Sequence, residues 1–150
     1  MAISREPGDI LVTHALGSCL GIAIHDAVAH VGGLLHVMMP LSTIDPEKAK
    51  ANPLKFVDTG VPQFLREAYS AGAVKSRLVV KVAGGANAYE TGEERFAIGK
   101  RNHIVLKKLL WKNGVLIDAE DVGGTHARTM YLEVGTGRVW LAAAGEVTDL

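Results

Sequence analysis

The chain carries a single cysteine, Cys19, in the run Thr13-His14-Ala15-Leu16-Gly17-Ser18-Cys19-Leu20-Gly21, and a histidine, His36, in Gly32-Gly33-Leu34-Leu35-His36-Val37-Met38-Met39-Pro40. A thiol on a glycine-flanked turn just ahead of an apolar strand is open to attack a carbonyl carbon. An imidazole on the neighbouring strand can hold it as thiolate. The competing fate of a lone cysteine is burial as a small apolar side chain, which is the commoner one before context is weighed.

The elements that must position these two groups follow from the patterning. Asp9 to Thr13 and Leu20 to His25 are short apolar runs separated by Gly17-Ser18-Cys19-Leu20-Gly21, the signature of strand, tight turn and strand. Val31 to Met39 predicts a buried strand, with Asp26-Ala27-Val28-Ala29-His30 as the hairpin loop, so thiol and imidazole fall on neighbouring elements. From Pro40 to Pro53 the Ser, Thr, Asp, Pro, Lys and Asn content is that of a loop, long enough for a lid or a substrate-contact segment. A helix is expected from about Phe56 to Ala71, with Val57, Val61, Phe64, Leu65 and Ala68 on one face, Gly72 as cap, and Gly60 and Pro62 weakening its first turns. Leu78 to Ala83 predicts a strand running into a loop from Gly84 through Arg95, and Ile98 to Lys112 a second helix ended by Asn113-Gly114. Three further strands are expected at Val115 to Ala119, Thr129 to Val134 and Arg138 to Ala143, the last two joined by Gly135-Thr136-Gly137. The order strands, helix, strand, helix, strands predicts an α+β fold, a layered sandwich of mixed β-sheets with two or three helices.

Bulk properties narrow the function. At 150 residues, 48% hydrophobic and 21% charged, the chain is the size of one ordinary domain, 1–150, and can bury a core without disulfides or metals. Lys plus Arg balances Asp plus Glu at 16 each, so no positive field draws a polyphosphate backbone and nucleic acid is not an expected partner. One thiol forms no internal disulfide, and the opening Met1 to Pro7 lacks a basic start, an apolar core and a cleavage site, so a cytoplasmic location is expected. The apolar runs are far shorter than the roughly 20 residues a spanning helix needs, so no direct membrane insertion is expected.

Five ordered blocks carry a resemblance: Thr13 through Gly21, Gly32 through Pro40, Lys81-Val82-Ala83-Gly84-Gly85-Ala86, Ile98-Gly99-Lys100-Arg101-Asn102 and Asp121-Val122-Gly123-Gly124-Thr125-His126-Ala127-Arg128. Together they resemble the chemoreceptor glutamine deamidase family, CheD, of bacterial and archaeal chemotaxis. That family's catalytic set is a Thr six residues before the Cys and a His seventeen after it, which here are Thr13 and His36. The resemblance implies a cysteine-hydrolase-like fold and a protein-glutamine glutaminase that turns specific glutamines of methyl-accepting chemoreceptor cytoplasmic helices into glutamates. It also implies cleavage of glutamate methyl esters and docking to a CheC-type chemotaxis phosphatase.

The residues can support that chemistry. An amide is a poor electrophile, so its hydrolysis calls for a strong nucleophile, donors for the oxyanion and an acid for departing ammonia. Beside a protonated His36, Cys19 is expected to be substantially thiolate, and the backbone N–H groups around Gly17, Ser18 and Cys19 are the natural oxyanion donors. Thr13 would fix the imidazole tautomer, and this neutral orienter predicts a modest turnover.

His14, His25, His30 and His126 show with His36 neither helical spacing nor cysteine clustering, so no metal or other cofactor is expected. Gly84-Gly85-Ala86-Asn87 and Gly123-Gly124-Thr125 lack the Gly-Lys-Ser/Thr ending of a phosphate loop, and tight turns walling the site are expected instead. Either Lys100-Arg101, opening a helix, or Arg128, after a glycine turn, is expected to meet the acidic surface of a receptor helix or to wall the site, and Asn102 to line the site or hydrogen-bond near it. Two alternatives to the deamidase share the sequence: an adaptor that only binds and regulates a CheC-type phosphatase, and a cysteine hydrolase of small amides outside chemotaxis.

Overall fold

The protein was analysed as a computed structural model that describes residues 1–87 and 97–150. The expected loop from Gly84 through Arg95 therefore lies outside the described residues beyond Asn87. Chain order is β1 (Ala2–Ser4), β2 (Ile10–Leu16), β3 (Leu20–Asp26), β4 (Val31–Val37), α1 (Pro46–Ala51), α2 (Val57–Ser70), β5 (Val79–Gly84), α3 (Ile98–Lys112), β6 (Ala119–Val122), β7 (Arg128–Glu133), β8 (Val139–Ala143) and β9 (Glu146–Asp149).

The strands form a mixed five-stranded sheet, β1-β4-β3-β5-β6, and an antiparallel four-stranded sheet, β2-β7-β8-β9. Alternation along β3 explains the layering. Leu20, Ile22 and Ile24 point to one face, where with Leu35, Val37, Val80 and Val82 they pack on Val61, Phe64 and Leu65 of α2 and Leu106 and Leu110 of α3. Ala23, with Leu34 of β4 and Ala83 of β5, points the other way and meets Leu16, Met130, Leu132, Val139 and Leu141 of the second sheet. The result is helices on sheet on sheet, the layered α+β arrangement expected from the element order.

Both long helices fall where periodicity put them. α2 stays continuous through Pro62 and buries Val57, Gly60, Val61, Phe64, Leu65 and Ala68. It stops at Gly72, where the Ala73 N–H returns to the Ala68 carbonyl. α3 ends the same way, with Val115 N–H on Leu110 O.

Three expectations need correction. The strand expected at Val115 to Ala119 lies at Ala119–Val122, parallel to β5. Val115 instead completes the α3 cap and is buried in the helix-side core, and Asp118 accepts the Val80 N–H through its carboxylate, so the apolar run belongs to a crossover and the polar residues beyond it to the sheet edge. The segment 40–53 is not all loop: it holds α1, opened by Asp45, whose side chain caps the Lys48 N–H, with Pro46 in the first helical position. Finally, two edge strands, β1 against β4 and β9 against β8, go beyond the strands expected from sequence.

Candidate active site

His36 stands where the two sheets meet. On β4 it pairs with Gly21 of β3, so both occupy the face that looks toward the second sheet. Gly21 has no side chain, and that absence makes the site. A Cβ there would come within 2.7 Å of Leu16 Cδ1, 2.9 Å of Met130 Sδ and 3.3 Å of Thr13 Cγ2. Through this gap Thr13, on β2 of the opposite sheet, reaches His36: its Oγ1 lies 2.8 Å from Nδ1. The other ring nitrogen, Nε2, is buried and has no partner among the described residues. With Nδ1 engaged by a hydroxyl, Nε2 is the nitrogen left to move a proton.

Cys19 arrives at the same face. It precedes β3 by one residue and lies two before Gly21, and it packs on the inter-sheet cluster with Leu16 and Met130 rather than on the helix side, to which Leu20 turns. Diagonal neighbours on paired strands sit roughly 7–8 Å apart at Cα, within side-chain reach. The preceding chain is bent to deliver it. Register slips between Thr13 and Leu16, Ala15 takes a left-handed φ of 56°, and the Gly17 N–H closes on the Ala15 carbonyl at 2.9 Å. That bond corrects one expectation, because the Gly17 N–H is already committed. The N–H groups of Ser18 and Cys19 bond no backbone carbonyl among the described residues.

The half-buried thiol and imidazole shift in opposite directions. Burial pushes the Cys19 thiol up, against a smaller opposing effect of its own backbone N–H. Burial also pushes His36 down, with a minor contribution from the chain's amino terminus. Both shifts favour the neutral pair at rest, in place of the thiolate and imidazolium expected from sequence.

The glycine loop after β5 is bonded directly to the Cys19 turn. Gly85 N–H donates to Cys19 O and Ala86 N–H to Gly17 O, both at 2.8 Å. A Cβ on Gly84, whose φ is +111°, would overlap the Cys19 carbonyl oxygen, so only glycine lets the two turns close this far. Asn102 is completely buried on α3, and its Nδ2 donates to Ser18 O at 3.0 Å and Met38 O at 3.1 Å. Arg128 departs from expectation: its side chain is only 10% exposed, and it bonds Asp121 Oδ1, Gly123 O and His126 O, with Gly84 O at 3.4 Å. It braces the wall from behind rather than presenting a free cation.

His25 bonds Val134 O at 2.9 Å, at the far end of β3, and among the described residues no three His, Cys, Asp or Glu side chains converge as a metal-ligating group would. No described helix is long and apolar enough to cross a membrane. Sequence reasoning missed Gly21. Its signal was present in the alternation of large Leu20, Ile22 and Ile24 with small Gly21 and Ala23, which marks a face approached closely by another layer.

A family model described as CheD chemotactic sensory transduction matches residues 38–143. A probable chemoreceptor glutamine deamidase CheD of Solibacter usitatus is 45% identical over 148 residues, 99% of this chain and 87% of that protein. The probable chemoreceptor glutamine deamidase CheD 1 of Syntrophus aciditrophicus is 48% identical over 143 residues, covering 95% and 89%. A third, the probable chemoreceptor glutamine deamidase CheD of Pyrococcus horikoshii, is 43% identical over 139 residues, covering 92% and 84%. The family match begins past His36, whereas the Solibacter match spans nearly the whole chain, and with likeness running this far along both partners the chain belongs to the CheD family.

Proposed function

We propose that this protein hydrolyses the side-chain amides of specific glutamines in chemoreceptors, with Cys19 as nucleophile, His36 as base and then acid, and Thr13 as its orienting partner. One observation carries the reading: the Thr13 to His36 hydrogen bond leaves Nε2 a buried base without a partner among the described residues, on the sheet face that also bears Cys19.

The chemistry follows from the neutral resting pair. His36 Nε2 takes the Cys19 proton as sulfur attacks the glutamine Cδ, and the N–H groups of Ser18 and Cys19 receive the oxyanion. The protonated imidazole passes its proton to the amide nitrogen, the C–N bond breaks, and ammonia leaves a γ-glutamyl thioester on Cys19. His36 then takes a proton from water, hydroxide adds to the thioester carbon, and collapse releases glutamate and restores the thiol. A glutamate methyl ester follows the same course with methanol as leaving group. The substrate is a cytoplasmic helical segment of the receptor, and the enzyme works in the cytoplasm, where a CheC-type phosphatase is its docking partner. An adaptor without catalysis gives no use to the Thr13 to His36 bond or to the unpartnered Nε2.

The test is mass analysis of receptor cytoplasmic fragments incubated with the protein, where each deamidation adds about one dalton. Conversion by the wild type and none by Cys19→Ala or His36→Ala is the expected result. Unchanged conversion by Cys19→Ala rejects the thiol mechanism, and conversion of small amides but not of receptor fragments rejects the substrate.

A further inference from the structure

Asn102 holds the nucleophile's turn from the helix layer. It is fully buried, its Nδ2 donates to Ser18 O and Met38 O, and its Oδ1 has no partner among the described residues. A buried amide with an unpaired acceptor destabilises a fold, so a packing role alone accounts poorly for it. The two carbonyls it joins are telling. Ser18 immediately precedes Cys19, and Met38 follows His36 by two residues on the same chain segment.

Peptide geometry shows what the bond to Ser18 fixes. In a planar trans peptide the carbonyl and the N–H point in opposite directions. The Gly17 carbonyl is held by Ala86 N–H, so the Ser18 N–H in the same peptide points away from the glycine-loop wall. The Cys19 carbonyl is held by Gly85 N–H. The carbonyl between them, that of Ser18, is held by Asn102, and the N–H in its peptide is that of Cys19. That N–H belongs to the nucleophile's own residue, points away from Asn102, and bonds no backbone carbonyl among the described residues.

We propose that Asn102 is a positioning residue for the oxyanion donor: from α3 it clamps the Ser18 and Met38 carbonyls, setting the Ser18–Cys19 peptide so that the Cys19 N–H faces the developing oxyanion in register with the His36 strand. The proposal rests on the cysteine amidase reading above. It assigns Asn102 to the step in which the amide carbonyl gains negative charge and to no step that lacks an oxyanion.

That distinction supplies the test. Asn102→Leu preserves the volume and removes the donor, and Asn102→Ala serves as a second variant if the first misfolds. Each is measured for deamidation of a receptor fragment and for alkylation of Cys19 by iodoacetamide, a displacement at a saturated carbon that builds no oxyanion. The expected result is a roughly 10- to 100-fold fall in kcat with KM and the alkylation rate each within about threefold of wild type. A parallel fall of kcat and alkylation, an unchanged kcat, or loss of folding in both variants overturns the proposal in favour of a structural role. Cys19→Ala separates the two levels. If it still deamidates, the amidase reading fails; if it is inactive while Asn102→Leu keeps full kcat, only the role of Asn102 fails.

Discussion

Thr13 supplies His36 with a neutral hydroxyl where many Cys-His and Ser-His sites supply a carboxylate or carboxamide, so it orients the ring but adds little to the stability of the imidazolium formed during catalysis. Thr13→Val should therefore lower kcat by roughly 10- to 100-fold while Thr13→Ser, which keeps the hydroxyl, retains most of it; equal losses in both would show that the hydroxyl is not what matters. The direction of the two pKa shifts sets a second expectation. His36 must be neutral to accept the thiol proton, and since burial lowers its pKa, the acid limb of kcat/KM should lie below the ordinary histidine value of about 6.5. Burial raises Cys19, so iodoacetamide labelling should still be climbing as pH passes the free-thiol value of about 8.5. A labelling rate already level below pH 7 would reveal a resting thiolate and contradict the neutral pair. The direction of these shifts was not legible in the sequence, where a Cys and a His on adjacent elements suggested an ion pair, because the largest cause is the desolvation that packing of the two sheets imposes.

The sheets meet at the Gly21 gap, and the geometry there depends on one missing methyl. Gly21→Ala should cost about 1–3 kcal/mol of stability, measured by urea unfolding, because the new Cβ meets Leu16, Met130 and Thr13 together; kcat should fall further than stability explains as Thr13 is pushed off Nδ1. An alanine variant with wild-type kcat would show that the sheets tolerate a wider separation. Ala15→Val tests the bulge in the same layer. A β-branched residue tolerates φ of 56° less well than alanine, so a loss of about 1–2 kcal/mol is expected, although the side chain is exposed and touches no core. Legibility varied among the elements for physical reasons. β3, β4, β5, α2 and α3 declared themselves because each is long or strongly apolar and the helices end in Gly72 and Gly114, whereas β1 and β9 are edge strands of three and four residues, too short to show a period. α1 left a readable sign, Asp45-Pro46-Glu47, that the surrounding loop composition masked. Cys19 and His36 stood out because adjacent strands joined by a hairpin keep them close in sequence and in space. Thr13 did not, since its contact crosses to another sheet; it was identified through the family resemblance, and no periodicity could have supplied it.

Across the whole molecule β3 has the proposed nucleophile at one end and an anchoring carboxylate at the other. Its seven residues span roughly 20 Å, with Cys19 just before Leu20 and Asp26 at the far terminus. Asp26 is 0% exposed and accepts from Val28 and Ala29 in its own hairpin, from Val74 N–H and from the Arg77 guanidinium, so one carboxylate ties the β3–β4 turn to the segment between α2 and β5. Burial by itself would raise this carboxyl, but Arg77 and the three N–H donors outweigh it and hold the group far below the usual range. A depressed folded-state pKa contributes stability that is fully present above the unfolded value of about 3.9 and is lost as pH falls through the interval down to the folded value. Asp26→Asn removes the charge that Arg77 and the amides address, and should cost about 2–4 kcal/mol at neutral pH. The gap between wild type and variant, measured by urea unfolding from pH 7 down to pH 3, should then narrow below about pH 4, because the wild type loses there what the variant never had. A gap constant over that range would mean that Asp26 acts through shape rather than charge. At temperatures where the variant remains folded, its deamidation kcat should match that of the wild type, because the strand separates this anchor from the sulfur, the imidazole and the proposed oxyanion donors by most of the length of the sheet.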